Sequence, residues 1–162
     1  MDEAYGVISL LAEQNKTLVT AESCTGGLLG ALLTEVPGAS KVYLGGIISY
    51  AYALKEQCLG VSHDLLEEKG AICPEVAVQM AQGARQRLQA DFALSVTGNA
   101  GPGTDPLNPN VGEIYIACSH KGGTQVKGLD LRGNRQENRE TACKECLSLL
   151  FDALRVIEKG EI

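Results

Sequence analysis

The sequence predicts an α/β protein of three layers, in which helices cover both faces of a mixed β-sheet. Short strand-like segments alternate with helix-like segments along the chain, which is typical of this class. The last two strand-like segments are separated by only four residues, which include the turn Lys121-Gly122-Gly123, so we expect them to form an antiparallel hairpin. Because 162 residues match the size of one domain, we predict a single domain over residues 1–162.

The helices are predicted from apolar residues at helical spacing and from residues that start or stop a helix. Pro37-Gly38 ends the second helix, Pro74 suits the first turn of the fifth, and Asn134 caps a long final helix. The predicted helices are 5–14, 28–36, 53–58, 64–69, 74–88 and the helix that follows residue 134.

The strands are predicted from short runs that are apolar or β-branched, such as KTLVTA and FALSVT. Residues 98–110 have neither a helical nor a strand period and are predicted to form a loop. The predicted strands are 16–21, 42–50, 92–97, 113–119 and 124–131.

Composition excludes several kinds of partner. The chain has 14 basic and 20 acidic residues, and the resulting net charge of −6 disfavours binding to a phosphate backbone. It has no Trp and only two Phe, which leaves few platforms for stacked bases. No apolar run reaches about 20 residues, and the acidic start Met1-Asp2-Glu3 is unlike a signal peptide. We therefore expect no nucleic acid, no membrane and a cytoplasmic location.

The six cysteines are interpreted as buried or half-buried structural thiols. Cys143 and Cys146 form the only CxxC, and no second pair accompanies it as a zinc site would need. A redox or metal role for these thiols is the alternative. His63 and His120 stand in no motif and are predicted to lie at the surface.

Three segments that follow predicted strands carry residues suited to chemistry, namely Ala21–Gly27, Ser49–Lys55 and Thr97–Gly103. Ligands of open α/β sheets bind beyond the carboxyl ends of the strands, so these segments are candidates for one site. The glycines of the third segment allow a close approach of backbone to ligand, or they mark an ordinary surface loop.

Ser23 could be a nucleophile, with an oxyanion hole or anion site formed by backbone N–H groups at the start of the next helix. The alternative is that Ser23 or Thr25 only caps that helix. With no histidine in a motif, the base would have to be a lysine, and Lys55 is the candidate. Its pKa would have to fall by about 3 units, which burial can achieve. Otherwise Lys55 is an exposed charge.

Arg135 opens the final helix and could hold a phosphate. The alternative is that its guanidinium lies on a solvated helix face.

The order and spacing of these strings resemble the CinA C-terminal domain family. The resemblance rests on TAESCTGG at 20–27, GIISY at 46–50 followed by Lys55, and TGNAGP at 97–102, and it covers about residues 5 to 155. It implies a three-layer α/β/α fold like that of anticodon-binding domains, with a five-stranded mixed sheet. It also implies a homo-oligomer without metal or organic cofactor, in the stand-alone form of the family.

The enzymes of that family are nicotinamide-nucleotide amidases, so the resemblance implies hydrolysis of nicotinamide mononucleotide to nicotinic acid mononucleotide and ammonia. Ser23 would be the nucleophile, Lys55 its general base, and Tyr50 a residue that orients or relays within the pair. The oxyanion and the nucleotide substrate would be held by Thr25, Gly26, Gly27, Gly98, Ala100, Gly101 and Arg135.

The sequence departs from the family pattern around the expected pocket. Tyr50-Ala51-Tyr52 stands where the family commonly has Tyr-Ser-Asn, Asn99 replaces an apolar residue, and Asn110 replaces a proline. These changes predict an altered pocket, which would process another amide or bind the substrate more weakly. Two other functions stay open, a nucleotide- or phosphate-binding module without turnover and an accessory protein for DNA uptake. The charge of −6 counts against the second of these.

Overall fold

A mixed five-stranded sheet forms the centre of the molecule, and the computed structural model describes residues 2–160. The strands are β1 (Leu18–Glu22), β2 (Tyr43–Ile48), β3 (Phe92–Gly98), β4 (Glu113–His120) and β5 (Gly123–Asp130). Their order in the sheet is β2-β1-β3-β4-β5. β1 pairs in parallel with both β2 and β3, whereas β4 is antiparallel to β3 and β5. The predicted hairpin and the mixed sheet are therefore confirmed.

Six α-helices surround this sheet. They are α1 (Glu3–Gln14), α2 (Leu28–Thr34), α3 (Tyr52–Leu59), α4 (His63–Lys69), α5 (Pro74–Arg87) and α6 (Arg135–Glu158). Asn134 starts α6 with a capping box, in which its side chain accepts from the Glu137 N–H and the Glu137 side chain accepts from the Asn134 N–H. None of the helices between residues 2 and 160 has the length and apolar composition needed to cross a bilayer.

Alternate residues of the central strands feed two separate cores, which is why helices lie on both faces of the sheet. On one face, Leu18 and Leu94 pack with the apolar sides of α1, α2 and α6. On the other face, Val19 and Ala93 pack with α3, α4 and α5. The three-layer arrangement predicted from the alternation of strands and helices is confirmed.

Strand and helix ends lie within two residues of the predicted ends, and the differences come from local chemistry. α1 begins two residues earlier than predicted because the Asp2 side chain caps it by accepting the Ala4 N–H. β2 ends at Ile48 rather than at residue 50. A short 3-10 helix at Ala39–Lys41 was not predicted.

The thiols lie where the sequence predicts them, with five cysteines buried, Cys58 half-buried, and no disulfide among the described residues. The surface prediction is right for His63 but wrong for His120, which is only 7% exposed. The His120 ring packs against Phe92 with ring centroids 5.4 Å apart. A histidine can be buried without an ion-pair partner because it is readily neutral at neutral pH. Burial lowers the pKa of His120 further below its ordinary value.

Candidate active site

The carboxyl ends of the three parallel strands meet at one edge of the sheet, and the candidate residues follow them directly. Ser23 comes after β1, and its N–H donates to the Val96 carbonyl of β3 at 3.0 Å. Ser49 comes after β2, and its N–H donates to the Glu22 carbonyl of β1 at 2.8 Å. These bonds extend the sheet by one residue, so each loop leaves it at a fixed position.

Ser23 and Lys55 form a hydrogen-bonded pair at this edge. The Lys55 Nζ lies 2.8 Å from the Ser23 Oγ, and its side chain also donates to the backbone carbonyls of Ser49 and Tyr50. Lys55 is 0% exposed although it belongs to a helix of only eight residues. The interpretation of Lys55 as an exposed charge is therefore wrong.

Burial lowers the pKa of Lys55 to about 8, and the nearby Cys24 and Asp105 oppose this shift only in part. The amine is thus close to half neutral in mildly alkaline solution. In the neutral form, two N–H groups can donate to the carbonyls of Ser49 and Tyr50, which leaves the lone pair directed at the Ser23 hydroxyl. This arrangement can deprotonate a serine without a histidine.

The turn after Ser23 is organised by Glu22, a residue the sequence interpretation did not select. Glu22 is only 3% exposed. Its carboxylate accepts from the Thr25 hydroxyl at 2.6 Å and from the N–H groups of Gly27, Leu29 and Gly30 at 3.2, 2.9 and 3.0 Å. The N–H groups at the start of α2 therefore already have the Glu22 carboxylate as their acceptor, which leaves less room for the expected substrate-anion site there. Neither Ser23 nor Thr25 caps α2, because its N-cap is Gly27.

Two backbone N–H groups beside Ser23 have no acceptor among the described residues. The Gly26 N–H donates to the Ser23 carbonyl, and that of Gly27 donates to Glu22, whereas those of Cys24 and Thr25 form no hydrogen bond within residues 2–160. Of the oxyanion donors expected around Thr25 to Gly27, the N–H groups of Gly26 and Gly27 are therefore engaged, whereas those of Cys24 and Thr25 are available.

Arg139 of α6 fixes the backbone that carries these N–H groups. Its guanidinium donates to the Cys24 carbonyl at 3.1 Å and to the Thr25 carbonyl at 2.9 Å. Because an arginine presents several donors in a rigid plane, both peptide groups are held in one orientation. No signal in the sequence around residue 139 distinguishes this role from an ordinary charge on a helix.

A cavity of about 370 Å³ opens over the Ser23–Lys55 pair. Most of the predicted site residues line it, and the loop between β3 and β4 forms one side. The lining residues are Ser23, Cys24, Tyr50, Tyr52, Lys55, Ala71, Ile72, Thr97, Gly98, Asn99, Ala100, Gly103, Thr104, Asp105, Pro106 and Arg135. Thr25, Gly26, Gly27 and Gly101 were predicted to bind substrate but do not line it.

Arg135 stands at the rim of this cavity. It donates to the Gly101 carbonyl at 2.8 Å and to the Tyr50 hydroxyl at 3.4 Å. An arginine has five N–H groups, so three of them form no hydrogen bond within the described residues. Arg135 is thus a candidate anion-binding residue at the open side of the site.

The Tyr50 phenol forms no hydrogen bond with Ser23 or Lys55 within residues 2–160. The phenol is part of a residue that is 62% exposed and lies beside Arg135, while the backbone carbonyl of Tyr50 meets Lys55. The Tyr50 carbonyl contacts the lysine that Tyr50 was expected to orient, and a relay by the phenol stays a prediction.

A metal centre has no candidate ligands in the described part of the chain. Residues 2–160 contain no group of three His, Cys, Asp or Glu side chains placed to hold an ion.

The fold and the site together define a mixed α/β protein with a buried Ser–Lys pair in a cavity at the carboxyl ends of parallel strands. The model of the CinA C-terminal domain matches residues 3–154, and the chain belongs to this family. The family predicted from the sequence motifs is therefore confirmed.

Several relatives and solved structures are similar to the chain. A CinA-like protein of Desulfotalea psychrophila is 44% identical over 140 residues, covering 86% of this chain and 34% of that protein. A CinA-like protein of Geotalea uraniireducens is 46% identical over 156 residues, covering 96% of this chain and 37% of that protein. The chain thus spans about a third of the length of these curated relatives.

Among solved structures, the competence/damage inducible protein CihA of Agrobacterium tumefaciens has a TM-score of 0.89 at 35% identity, covering 94% of this chain and 93% of that chain. A competence-damaged protein (CinA) superfamily protein of Escherichia coli has a TM-score of 0.88 at 29% identity, covering 92% and 87%.

Proposed function

We propose that this protein hydrolyses the carboxamide of nicotinamide mononucleotide through an acyl-enzyme on Ser23, with Lys55 as general base. The observation that carries the proposal is the 2.8 Å contact between Lys55 Nζ and Ser23 Oγ, made by a fully buried lysine whose pKa is lowered to about 8. A buried serine–lysine pair of this kind has a direct chemical use in acyl transfer.

In the first step, neutral Lys55 accepts the hydroxyl proton of Ser23 as the Oγ forms a bond to the amide carbon. The carbonyl oxygen becomes an oxyanion, which the N–H groups of Cys24 and Thr25 would stabilise. Protonated Lys55 then gives its proton to the amide nitrogen, the carbon–nitrogen bond breaks, and ammonia leaves.

In the second step, water attacks the ester on Ser23 with Lys55 accepting its proton. The carbon–Oγ bond breaks, Oγ takes the proton back, and nicotinic acid mononucleotide is released. Arg135 would hold the phosphate of the nucleotide at the rim through its free N–H groups. The proposal keeps the cytoplasm as the location, a single domain as the unit and a homo-oligomer as the assembly.

The first test is ammonia release from nicotinamide mononucleotide by the wild type beside Lys55→Ala. We expect release by the wild type and a loss of about 10²–10⁴-fold in the variant, because general-base catalysis contributes about that much. Lys55→Met is the matched variant that keeps the buried space filled, and circular dichroism verifies that both variants fold. Equal rates in wild type and variants would remove Lys55 from the mechanism.

The rate is expected to rise with pH through an apparent pKa of about 8, that of the buried Lys55. The sign follows because the base acts only when neutral, and the neutral fraction grows as pH rises through the pKa. The measurement is kcat/KM for ammonia release between about pH 6 and about pH 9.5, a range that extends roughly two pH units to either side of the expected pKa. A profile that falls across this range would contradict a lysine base.

A second candidate is a nucleotide-binding protein without turnover, which is favoured by two departures from the family pattern, Tyr52 and Asn99, that line the cavity. Calorimetry that finds binding of nicotinamide mononucleotide, together with no ammonia at any pH, would favour it. An accessory role in DNA uptake would instead require a shift of labelled duplex at moderate salt.

A further inference from the structure

Tyr52 and Lys55 occupy the same side of the short helix α3. They are three residues apart, which makes their side chains neighbours on a helix surface, and both line the cavity. Lys55 reaches Ser23, whereas Tyr52 reaches the loop between β3 and β4. One helix therefore connects the reacting pair to the opposite side of the cavity.

The Tyr52 hydroxyl joins three segments of the chain. It donates to Asp105 Oδ1 at 2.5 Å and accepts the Ala71 N–H at 3.1 Å. The other carboxylate oxygen of Asp105 accepts the Leu107 N–H at 3.1 Å. The loop residues 103–106, which we call the cavity wall, are thus bonded through the Asp105 carboxylate to Tyr52 of α3. The Tyr52 hydroxyl in turn links them to Ala71, in the segment before α5.

Asn99 provides a second anchor for the same loop. Its Oδ1 accepts the Asp105 N–H at 2.8 Å, and its Nδ2 donates to the carbonyls of Asn108 and Asn110 at 2.9 and 3.1 Å. The loop has no regular secondary structure apart from an isolated bridge between Asp105 and Asn108. Side-chain anchors therefore determine where the cavity wall stands.

The loop packs closely against Gly70, which has no side chain. A Cβ on Gly70 would lie 2.6 Å from Asp105 Oδ2, 3.0 Å from the Leu107 Cβ and 3.2 Å from the Tyr52 hydroxyl. The φ angle of Gly70 is +77°, which also favours glycine. The close contact between the loop and Gly70 therefore limits movement of the cavity wall toward this glycine.

We propose that Tyr52 is a positioning residue that sets substrate specificity. Its hydrogen bond to Asp105 fixes the cavity wall, and the position of the wall limits the cavity to a size that a mononucleotide amide fills. The cavity of about 370 Å³ lies at the small end of ligand sites, which run from about 300 to 1,000 Å³. We assign Tyr52 no proton transfer, because its hydroxyl donates to Asp105 and accepts the Ala71 N–H. The kinetic part of this inference rests on the proposed function, whereas its structural part does not.

The structural test is amide hydrogen exchange in Tyr52→Phe, which removes only the hydroxyl. We expect exchange at Ala71 and Leu107 to accelerate on the order of tenfold, because one amide loses its acceptor and the other depends on a carboxylate that is no longer held. The matched control is Tyr43→Phe, which removes a hydroxyl bonded to Thr20 at 2.7 Å and lies outside this cavity. Unchanged exchange in Tyr52→Phe would overturn the inference.

The kinetic test compares nicotinamide mononucleotide with the dinucleotide that carries the same carboxamide. In Tyr52→Phe, we expect KM for the mononucleotide to rise on the order of tenfold, with kcat within about twofold of the wild type. The ratio of kcat/KM for the mononucleotide to that for the dinucleotide is expected to fall. A loss of kcat at unchanged KM would overturn the positioning role. If the wild type releases no ammonia at all, the proposed function fails, while the exchange measurement still decides whether Tyr52 holds the wall.

The double variant Tyr52→Phe with Asp105→Asn tests whether the two side chains act through their mutual hydrogen bond or independently. If the bond between the two side chains is the cause, the double variant shifts KM and exchange no further than the stronger single variant. Effects that multiply would instead show that Tyr52 and Asp105 act separately, and would overturn the inference.

Discussion

Replacing Ser23 with alanine is expected to abolish ammonia release from nicotinamide mononucleotide while the protein stays folded. The loss should be about 10⁴-fold or more, because removing a nucleophile eliminates the covalent route rather than weakening it. The fold should tolerate the change, since the Ser23 N–H, which continues the sheet, is kept and only the Oγ contact with Lys55 is lost. The measurement is single-turnover and steady-state ammonia release, with circular dichroism on the same samples.

Ser95→Ala is the matched control for this experiment. Ser95 is a fully buried serine of β3 in the central sheet, but its hydroxyl donates to the Ala77 carbonyl at 2.6 Å and it does not line the cavity. We expect it to lower stability by about 1 kcal/mol and to keep its activity. A Ser23→Ala variant that is as active as Ser95→Ala would show that Ser23 is not the nucleophile.

Replacing Glu22 with alanine is expected to lower the free energy of unfolding by about 3–5 kcal/mol, the largest stability effect that we predict. The carboxylate accepts four hydrogen bonds, so its removal leaves a hydroxyl and three N–H groups without an acceptor in a buried place. Urea denaturation followed by circular dichroism measures the change.

Two variants make the Glu22 result specific. Glu22→Gln keeps the shape of the side chain but has only one acceptor oxygen, and its NH₂ group faces other donors. We therefore expect a loss of unfolding free energy between those of the wild type and Glu22→Ala. Glu35→Ala removes an exposed carboxylate at the other end of α2, and we expect a change within about 0.5 kcal/mol. A Glu22→Ala protein as stable as Glu35→Ala would mean that the turn finds other acceptors.

Glu22 connects the stability of the protein to its proposed chemistry. It precedes Ser23 directly, and it holds the turn whose peptide groups Arg139 fixes from the other side. The turn is therefore held by hydrogen bonds to the Glu22 carboxylate and to the Arg139 guanidinium. Rigid support of this kind is what a set of oxyanion donors requires.

Much of the site was predictable because its residues follow strands that the sequence marks clearly. Ser23, Lys55 and Arg135 were chosen from their places at the ends of elements, and all three line one cavity. Residues whose importance depends on side-chain contacts that no motif marks were missed. Glu22 looks like the last residue of a strand and Arg139 like a charge on a helix, and only the approach of α6 to the turn explains Arg139.

The chain by itself determined the order of its elements, the mixed sheet and the family, because apolar spacing, caps and turn residues act over a few neighbours. The tertiary structure decided the rest. It alone shows that Lys55 is buried against Ser23, that Glu22 occupies the start of α2, and that Tyr52 holds the loop through Asp105. The physical reason is that side-chain hydrogen bonds and burial depend on how the chain turns and how the layers pack, which local patterns do not specify.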